Sequence, residues 1–211
     1  MNIMRPITQI LMAEFGGKVI TKEELEKVST YLKVNNVDYL VNYLIQYGYI
    51  IRILRGLYYV KTPVEFSFKS SPTTYKFISL GMNKITKNWY FGLFTALILS
   101  GLTHEHYTTI FIINDKIART KIIHVNGTPV RIIKTRKSLF DFGIIEKDGM
   151  RISDLEKTLL DFLYFGNYGT ISKELASRIW REYKDNADWK KLKKYLKKYP
   201  KSIAKVVDDA E

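Results

Sequence analysis

Residues 35–60, NNVDYLVNYLIQYGYIIRILRGLYYV, read as a helix that runs directly into a tight hairpin, and the first part of the chain is built around them. Apolar residues recur at helical spacing between Leu40 and Ile45, which predicts that one side of the helix packs inside the protein. Asn35 or Asn36 can cap the start of the helix, and Gly48 is placed to end it in a left-handed conformation. Both ends of the helix are therefore visible in the sequence.

The other faces of this helix carry side chains that can contact a ligand. They are Asn35, Asn36, Asp38, Tyr39, Asn42, Tyr43 and Gln46. Amides offer hydrogen bonds that suit the edges of DNA bases. We therefore interpret the segment as a recognition helix, with a plain helix-and-hairpin core as the alternative.

The hairpin that follows is basic. Two β-rich runs, 49–54 and 57–60, flank Arg55 and Gly56, and the glycine supplies the positive φ that such a turn needs. Arg52 and Arg55 would lie on and beside its tip. A winged helix-turn-helix places a helix in the major groove and a cationic hairpin against the phosphates. The sequence therefore predicts DNA contacts from both arginines.

The elements that precede the recognition helix occur in the order that a winged helix requires. Residues 6–15 have a helical apolar stripe that ends at Gly16, and residues 19–20 can form only a short edge strand. Thr21 and Glu24 then have the spacing of a capping box, which starts a second helix.

The charge of the chain points to a polyanionic partner. Its 211 residues hold 34 Lys and Arg against 21 Asp and Glu, a net charge of +13 and a pI near 9.6. Nucleic acid is the first candidate, because a cationic surface attracts polyanions over roughly 8–10 Å. The absence of cysteine excludes disulfides and thiolate chemistry. With no apolar run of about 18 residues, we expect a cytoplasmic protein without a membrane partner.

The chain is long enough for two domains. Residues 62–72 combine two prolines with three serines, so we predict a linker there. The predicted division is a winged helix-turn-helix over residues 1–61, the linker, and a C-terminal α/β domain over residues 73–211. The predicted fold class is α+β, with a mostly antiparallel or mixed sheet and flanking helices in the second domain.

The second domain begins with two predicted helices, over residues 73–87 and 91–102, the latter apolar enough to be buried. Three β-rich runs follow, and Asn126 with Gly127 forms the strongest short hairpin signal in the chain. The predicted strands span 108–113, 121–125 and 128–133, with an extension over 139–145.

Three more helices are predicted near the C-terminus. Ser153 can cap the first, with Glu156 three residues later. The others span 172–183 and 188–199, and the last is rich in lysine. The lysines Lys190, Lys194 and Lys197 can contact phosphate or simply form a solvated face.

Three sets of residues resemble the AbiEi antitoxins of type IV abortive-infection toxin–antitoxin systems and the winged-helix regulators related to them. The matching residues are Arg55-Gly56-Leu57-Tyr58, Ala96-Leu97 with Gly101-Leu102, and Arg151, Ser153, Glu156, Lys157, Thr158, Leu159 and Asp161. The last set is the most specific. Where family members commonly have Arg before the Thr of this motif, this chain has Lys157, a point charge in place of a fork.

This resemblance implies a winged helix that binds its own promoter as double-stranded DNA and represses its own operon. It also implies a C-terminal domain required for antitoxicity against a nucleotidyltransferase-like toxin, without stable contact between the two proteins. A homodimer on DNA is expected. Capping by Ser153 and Glu156, and an i,i+4 pair of Lys157 with Asp161, explain the motif without any chemical role.

The alternatives are a nuclease and a general RNA or polyanion binder. His104 and His106 could share a strand face as metal ligands, but a third ligand is not evident. Two acid-x-Lys triplets, at Glu182 and Asp188, fall in helical patterns rather than on convergent strands. We therefore predict no catalytic residue, metal or cofactor. The many aromatic residues could stack on RNA bases, although most fall on core stripes.

Overall fold

Helices and strands alternate irregularly along the chain, and the protein is α+β, which confirms the predicted fold class. The computed structural model describes residues 4–31, 33–34 and 36–208, without the side chains of residues 4, 5 and 208. The chain divides into two units, one of residues 1–85 with 124–128 and one of residues 86–123 with 129–211.

The first unit contains a three-stranded antiparallel sheet of order β1-β3-β2 and five helices in its described residues. Its elements are α1 (Met4–Phe15), β1 (Val19–Thr21), α2 (Lys22–Tyr31), α3 (Val37–Gln46), β2 (Ile50–Leu54), β3 (Leu57–Val60), α4 (Pro63–Ser67) and α5 (Thr74–Ile85). From α1 to β3 the elements occur in the predicted order, a helix, a short strand, two helices and a hairpin, and β1 pairs with β3. One apolar core joins them, with Ile7, Leu25 and Leu40 fully buried.

The predicted helix ends are found in this unit. The Thr21 backbone N–H donates to Glu24 at 2.7 Å, and the Glu24 N–H donates to the Thr21 hydroxyl at 3.2 Å, which completes the capping box. Gly48 follows α3 at φ +75°, where the Tyr49 N–H returns to the Leu44 carbonyl at 2.9 Å.

The boundary between the units lies later than the linker we expected at residues 62–72. That stretch contains α4, which Thr62 and Glu65 start with a capping box. Helix α5, expected in the second domain, packs on the three-stranded sheet of the first unit instead, with the Phe77 ring 4.9 Å from Tyr59. Gly81 permits this approach, because a Cβ there would lie 2.9 Å from Ile53 Cγ2.

The second unit is built around a six-stranded mixed sheet of order β6-β7-β5-β4-β9-β8, except that residues 124–128, which form most of β6 and the β6–β7 turn, are grouped with the first unit. Its elements are β4 (Trp89–Phe91), α6 (Phe94–Leu99), β5 (Ile110–Asn114), β6 (Ile123–Val125), β7 (Thr128–Lys134), β8 (Ile144–Lys147), β9 (Met150–Ser153), α7 (Leu155–Asn167), α8 (Lys173–Tyr183), α9 (Trp189–Leu196) and α10 (Lys201–Asp208). Strand β5 runs parallel to β7, and β4 runs parallel to β9. The β6–β7 turn has positive φ at both Asn126 and Gly127, as predicted.

Four details of this unit differ from the prediction. The strand expected over residues 139–145 begins only at Ile144, because residues 137–139 form a 3-10 turn and bends follow it. The buried helix expected over residues 91–102 is shorter and spans Phe94–Leu99, and residues 89–91 before it form strand β4. Residues 150–153 form a strand, because Ile152 lies opposite Phe91 in the sheet. The lysine-rich helix ends at Leu196, and Pro200 precedes a separate α10.

Helix α7 lies at the centre of the second unit and contacts α6, α8, α9 and α10. Its residues from Glu156 to Leu163 are all buried, and Leu159, Leu160 and Phe162 are fully inaccessible to solvent. The helix therefore organises the core of this unit, and its polar residues need partners inside the protein.

Candidate nucleic-acid interface

Helix α3 presents one polar face to solvent. Leu40, Val41 and Leu44 point into the core, whereas Tyr39, Asn42 and Gln46 are exposed. The spacing i, i+3, i+7 places the three exposed side chains on one side of the helix. Tyr39 keeps 61% of its surface open. This face can therefore present two amides and a phenol to a ligand.

Not every polar residue of the predicted recognition helix is available to a ligand. The Asn36 side chain accepts a hydrogen bond from the Tyr39 N–H at 2.9 Å and caps the helix. Tyr43 is half-buried, with its ring 4.4 Å from Tyr47 and 6.4 Å from Tyr49. Asn35 lies outside the described residues. The exposed amides of the face are thus Asn42 and Gln46.

Lys22 contacts both the turn of the hairpin and the first turn of α3. Its backbone N–H donates to the Gly56 carbonyl at 2.9 Å, and its Nζ lies 2.8 Å from Asp38. The hydrogen bond from Lys22 lowers the pKa of Asp38. Sequence analysis did not identify Lys22. The only signal was its position directly after the β1 strand, at the start of α2.

The wing, residues 50–60, carries two exposed arginines. Arg52 lies on β2 with its guanidinium 5.8 Å from the Tyr58 ring centre, and Arg55 lies in the turn before Gly56. Neither arginine forms an ion pair with a residue that the structure describes. Both charges are therefore open to an anionic partner.

The most specific part of the family resemblance occupies the β9–α7 junction of the second unit. Asp154, rather than the predicted Ser153, caps α7, because its side chain accepts from the Lys157 N–H at 2.9 Å. The Ser153 hydroxyl lies on a strand and bonds to Thr158 at 2.7 Å. The Arg151 guanidinium donates to the Lys87 carbonyl.

Glu156 does not complete a capping box but ties α7 to α9. Its carboxylate lies 2.8 Å from Lys191 Nζ and accepts the Asp188 N–H at 3.0 Å. Burial acts to raise the pKa of Glu156, but these two hydrogen bonds, a further backbone hydrogen bond and the charge of Lys191 together lower it. The same lysine also lies 3.0 Å from Asp154.

Lys157 and Asp161 form a fully buried ion pair inside an aromatic shell. Their charged atoms lie 3.6 Å apart, with both side chains inaccessible to solvent, which confirms the i,i+4 pair. Asp161 accepts hydrogen bonds from Tyr199 at 2.6 Å and Tyr90 at 2.8 Å. The ammonium lies 4.7 Å from the Tyr90 ring centre and 4.5 Å from that of Phe142.

The electrostatics of this pair are those of an interior network. Burial lowers the pKa of Lys157 and raises that of Asp161, and the attraction between the two groups opposes both shifts. The two hydroxyls of Tyr90 and Tyr199 further favour the Asp161 carboxylate. A substrate cannot reach these atoms without opening the core, so the arrangement fits a structural role.

The three lysines predicted as phosphate contacts are exposed. Lys190 and Lys194 lie on α9, and Lys197 follows its last turn. Their neighbour Lys191 is half-buried and paired with two carboxylates at the start of α7. Lys191 therefore faces α7, whereas Lys190, Lys194 and Lys197 face solvent.

The residues considered for an enzyme are scattered. His104 and His106 lie in the loop before β5, not on a strand, and both are exposed. Glu182 belongs to α8, and Asp188 caps α9. Across residues 4–31, 33–34 and 36–208, no three His, Asp or Glu side chains come together in an arrangement that could hold a metal ion. In the same part of the chain, every helix is too short or too polar to span a membrane.

Comparisons with known proteins bear on the fold. No protein-family model matches the chain, and no curated protein matches it. Among solved structures, it is similar to the crystal structure of the RV2827C protein from Mycobacterium tuberculosis, with 13% identity over 96% of this chain and 74% of that chain and a TM-score of 0.59. At this identity the similarity concerns the fold alone.

Proposed function

We propose that the protein is a sequence-specific transcriptional regulator that binds duplex DNA through α3 and the wing. The observation that carries the proposal is a hairpin with two exposed arginines, whose turn is linked through Lys22 to the first turn of α3. The outer face of this helix holds Tyr39, Asn42 and Gln46. In the proposal the helix face reads bases and the arginines contact phosphate.

The chemistry of the two parts is complementary. A major groove about 12 Å wide admits an α-helix, and Asn or Gln can bond adenine through two hydrogen bonds. Arg52 and Arg55 supply the charge that fixes such a helix on the backbone. The pairing of Asp38 with Lys22 reduces the repulsion that a free carboxylate would exert on DNA phosphates.

The test compares binding to the duplex of the protein's own promoter with binding to a scrambled duplex of equal length. We expect a preference for the promoter, and we expect Asn42→Ala with Gln46→Ala to remove it. Gln9→Ala, at an exposed position on α1, is the matched control. Equal affinity of the unsubstituted protein for both duplexes would refute sequence-specific binding.

A second test addresses the wing. Arg52→Ala with Arg55→Ala should weaken binding to both duplexes and reduce the log–log salt slope by about 0.9 for each lost phosphate contact. Lys69→Ala with Lys76→Ala removes the same charge from exposed positions outside α2, α3 and the wing. A salt slope that changes equally in both variants would mean that the wing does not touch phosphate.

The resemblance to AbiEi antitoxins extends this proposal. It supports a cytoplasmic antitoxin that represses its own operon, binds DNA as a homodimer and counteracts a nucleotidyltransferase-like toxin without stable contact. The support is the set of motif residues from Arg151 to Asp161. Co-expression with the product of the neighbouring gene tests it, because rescue of growth is expected only if that product is such a toxin.

A further inference from the structure

A cavity of about 320 Å³ opens on the surface of the second unit beside α8. Its apolar walls are Phe94 at the start of α6, Tyr107 in the loop before β5, Phe111 on β5 and Leu175 on α8. Three of these four residues are aromatic. The volume lies at the small end of the range of about 300–1,000 Å³ found for ligand sites, which suits one ring or two fused rings rather than a dinucleotide or a peptide.

Contacts within the unit hold the walls of this cavity in place. The Phe111 backbone N–H donates to the Thr95 hydroxyl at 2.8 Å, so β5 is joined to the first turn of α6. The Phe94 ring lies edge-on to Phe162 of the central helix α7, with 4.9 Å between the ring centres, and Phe94 is only 4% exposed. A ligand would therefore meet side chains that are already ordered, which lowers the entropic cost of binding.

Leu93, the residue that leads into α6, has a strained backbone. Its φ is +53° and its ψ is −134°, a conformation that residues other than glycine rarely adopt. Such strain persists only where the surrounding structure enforces it, and it is concentrated at ligand sites and active sites. Leu93 is fully buried, and the turn that it forms between β4 and α6 sets the position of Phe94 in the cavity wall.

Tyr107 is fixed through both its ring and its hydroxyl. The ring stacks on Phe94 with 3.8 Å between the ring centres, and the hydroxyl donates to the Glu105 carboxylate. Burial and this hydrogen bond raise the pKa of Tyr107 to about 12, so the ring stays uncharged at neutral pH. The Glu105 carboxylate is engaged by the hydroxyl and does not line the cavity.

The cavity offers hydrogen bonds but no ionic partner. Its polar lining consists of His106, Thr108 and Thr109, of which the first two are exposed. Among the described residues, no carboxylate, ammonium or guanidinium group belongs to the lining. Two charges on α8 act on the neighbouring Tyr107 with opposite sign, because Arg178 lowers its pKa and Glu182 raises it. A charged ligand would therefore lose hydration here without gaining an ion pair.

We propose that this cavity binds a small uncharged aromatic molecule that carries a hydroxyl or amide group. The walls favour a flat ring, because aromatic pairs attract each other in stacked and edge-to-face arrangements beyond the area that they bury. The polar group of the ligand has partners in the exposed side chains of Thr108 and His106. The site lies within the second unit, and binding there does not depend on the proposed contacts of α3 and the wing with DNA.

The experiment titrates the full chain with phenol at neutral pH and follows binding by saturation-transfer NMR. Cyclohexanol has the same hydroxyl on a ring that is not flat, and we expect phenol to bind about 2- to 12-fold more tightly, from the extra attraction of aromatic pairs. Benzoate and benzylammonium place a charge beside the same ring and should bind more weakly than phenol. Absence of phenol binding, equal binding of cyclohexanol, or tighter binding of either charged compound would overturn the proposal.

Two variants assign the binding to this cavity. Thr108→Trp places a large ring at an exposed position of the lining, and Leu175→Trp fills the cavity from α8, so each should abolish saturation transfer to phenol. Thr120→Trp, at an exposed position of the same unit outside the cavity, is the matched control and should bind phenol like the unsubstituted protein. Far-UV circular dichroism checks that each variant is folded. Unchanged phenol binding in folded Thr108→Trp or Leu175→Trp, or an equal loss in Thr120→Trp, would refute the site.

Discussion

Helices α3 and α7 both mix polar with apolar residues, yet they use their polar side chains in opposite ways. On α3 the polar side chains of Tyr39, Asn42 and Gln46 remain in solvent. On α7 the side chains of Glu156 and Asp161 are buried, together with the lysine and threonine between them. A polar pattern on a helix therefore does not identify a surface until the neighbouring elements are known.

The difference lies in the partners that the rest of each unit provides. Every buried polar residue of α7's first two turns contacts a complementary group, from the Thr158–Ser153 hydroxyl pair to the tyrosines around Asp161. Burial of a charge without such partners would cost several kcal/mol. The exposed residues of α3 need no partner, because water satisfies them until a ligand displaces it.

The largest effect is expected for Asp161→Ala, which leaves the ammonium of Lys157 buried without its carboxylate. We expect a loss of about 3–5 kcal/mol in the free energy of unfolding. All three tryptophans, Trp89, Trp180 and Trp189, belong to the second unit, which contains this ion pair. Urea unfolding followed by tryptophan fluorescence therefore reports on the second unit selectively. Asp141→Ala, at an exposed position, is the control, and an equal loss in both variants would contradict a specific role of the pair.

A smaller effect is expected when both charges are removed together. Lys157→Met with Asp161→Asn leaves no buried charge and keeps an oxygen for the tyrosyl hydroxyls. The double variant should lie within about 1–2 kcal/mol of the unsubstituted protein, because neutral replacements of a buried ion pair are often tolerated. Additive losses from the two single substitutions would show that the residues do not act as a pair.

Substitution of Glu156 on α7 is expected to change how the free energy of unfolding depends on pH. Its folded-state pKa is lowered, so it stabilises the protein above its unfolded pKa of about 4.3, and this contribution is lost as pH falls through the folded pKa. Glu156→Gln should cost about 1 kcal/mol at neutral pH, since Lys191 is 38% exposed. The variant should also lose less stability than the unsubstituted protein between about pH 5 and pH 3. Parallel pH profiles would assign the acid sensitivity to other groups.

The smallest effect on stability is expected on α3. Tyr39→Ala, Asn42→Ala and Gln46→Ala should each change the free energy of unfolding by less than about 0.5 kcal/mol, because their side chains are solvated. Far-UV circular dichroism during urea unfolding measures this change. Leu44→Ala on the buried side of the same helix should cost about 2–5 kcal/mol and serves as the positive control. A large loss at Asn42 or Gln46 would show that the face is structural.

Local signals accounted for the first unit well, because its elements are short and their ends are set by nearby residues. The capping box at Thr21, the stop at Gly48 and the turn at Gly56 all depend on residues within five positions. The position of α5 could not be predicted in this way. It depends on the missing side chain of Gly81 opposite Ile53, a contact between residues far apart in the sequence.

The candidate site was predictable only in part. The exposed face of α3 and the basic hairpin follow from periodicity, but the bridging position of Lys22 depends on a strand pairing that brings Gly56 beside it. In the second unit, Ser153 and Glu156 matched a capping pattern, yet both form long-range contacts instead. The Ser153 hydroxyl donates to the Phe91 carbonyl on β4, and Glu156 accepts from the Asp188 N–H at the start of α9. Such competition between local and distant partners is decided by the tertiary structure, not by spacing.

The link that Lys22 makes between the wing turn and α3 has a consequence for the kinetics of binding. A backbone hydrogen bond and the β1–β3 pairing fix the turn, so under the proposed function the wing is already ordered in the protein without DNA. A preorganised surface loses little conformational entropy on association. The rate of encounter should then depend on charge steering and therefore on ionic strength, with no slow rearrangement after the first contact.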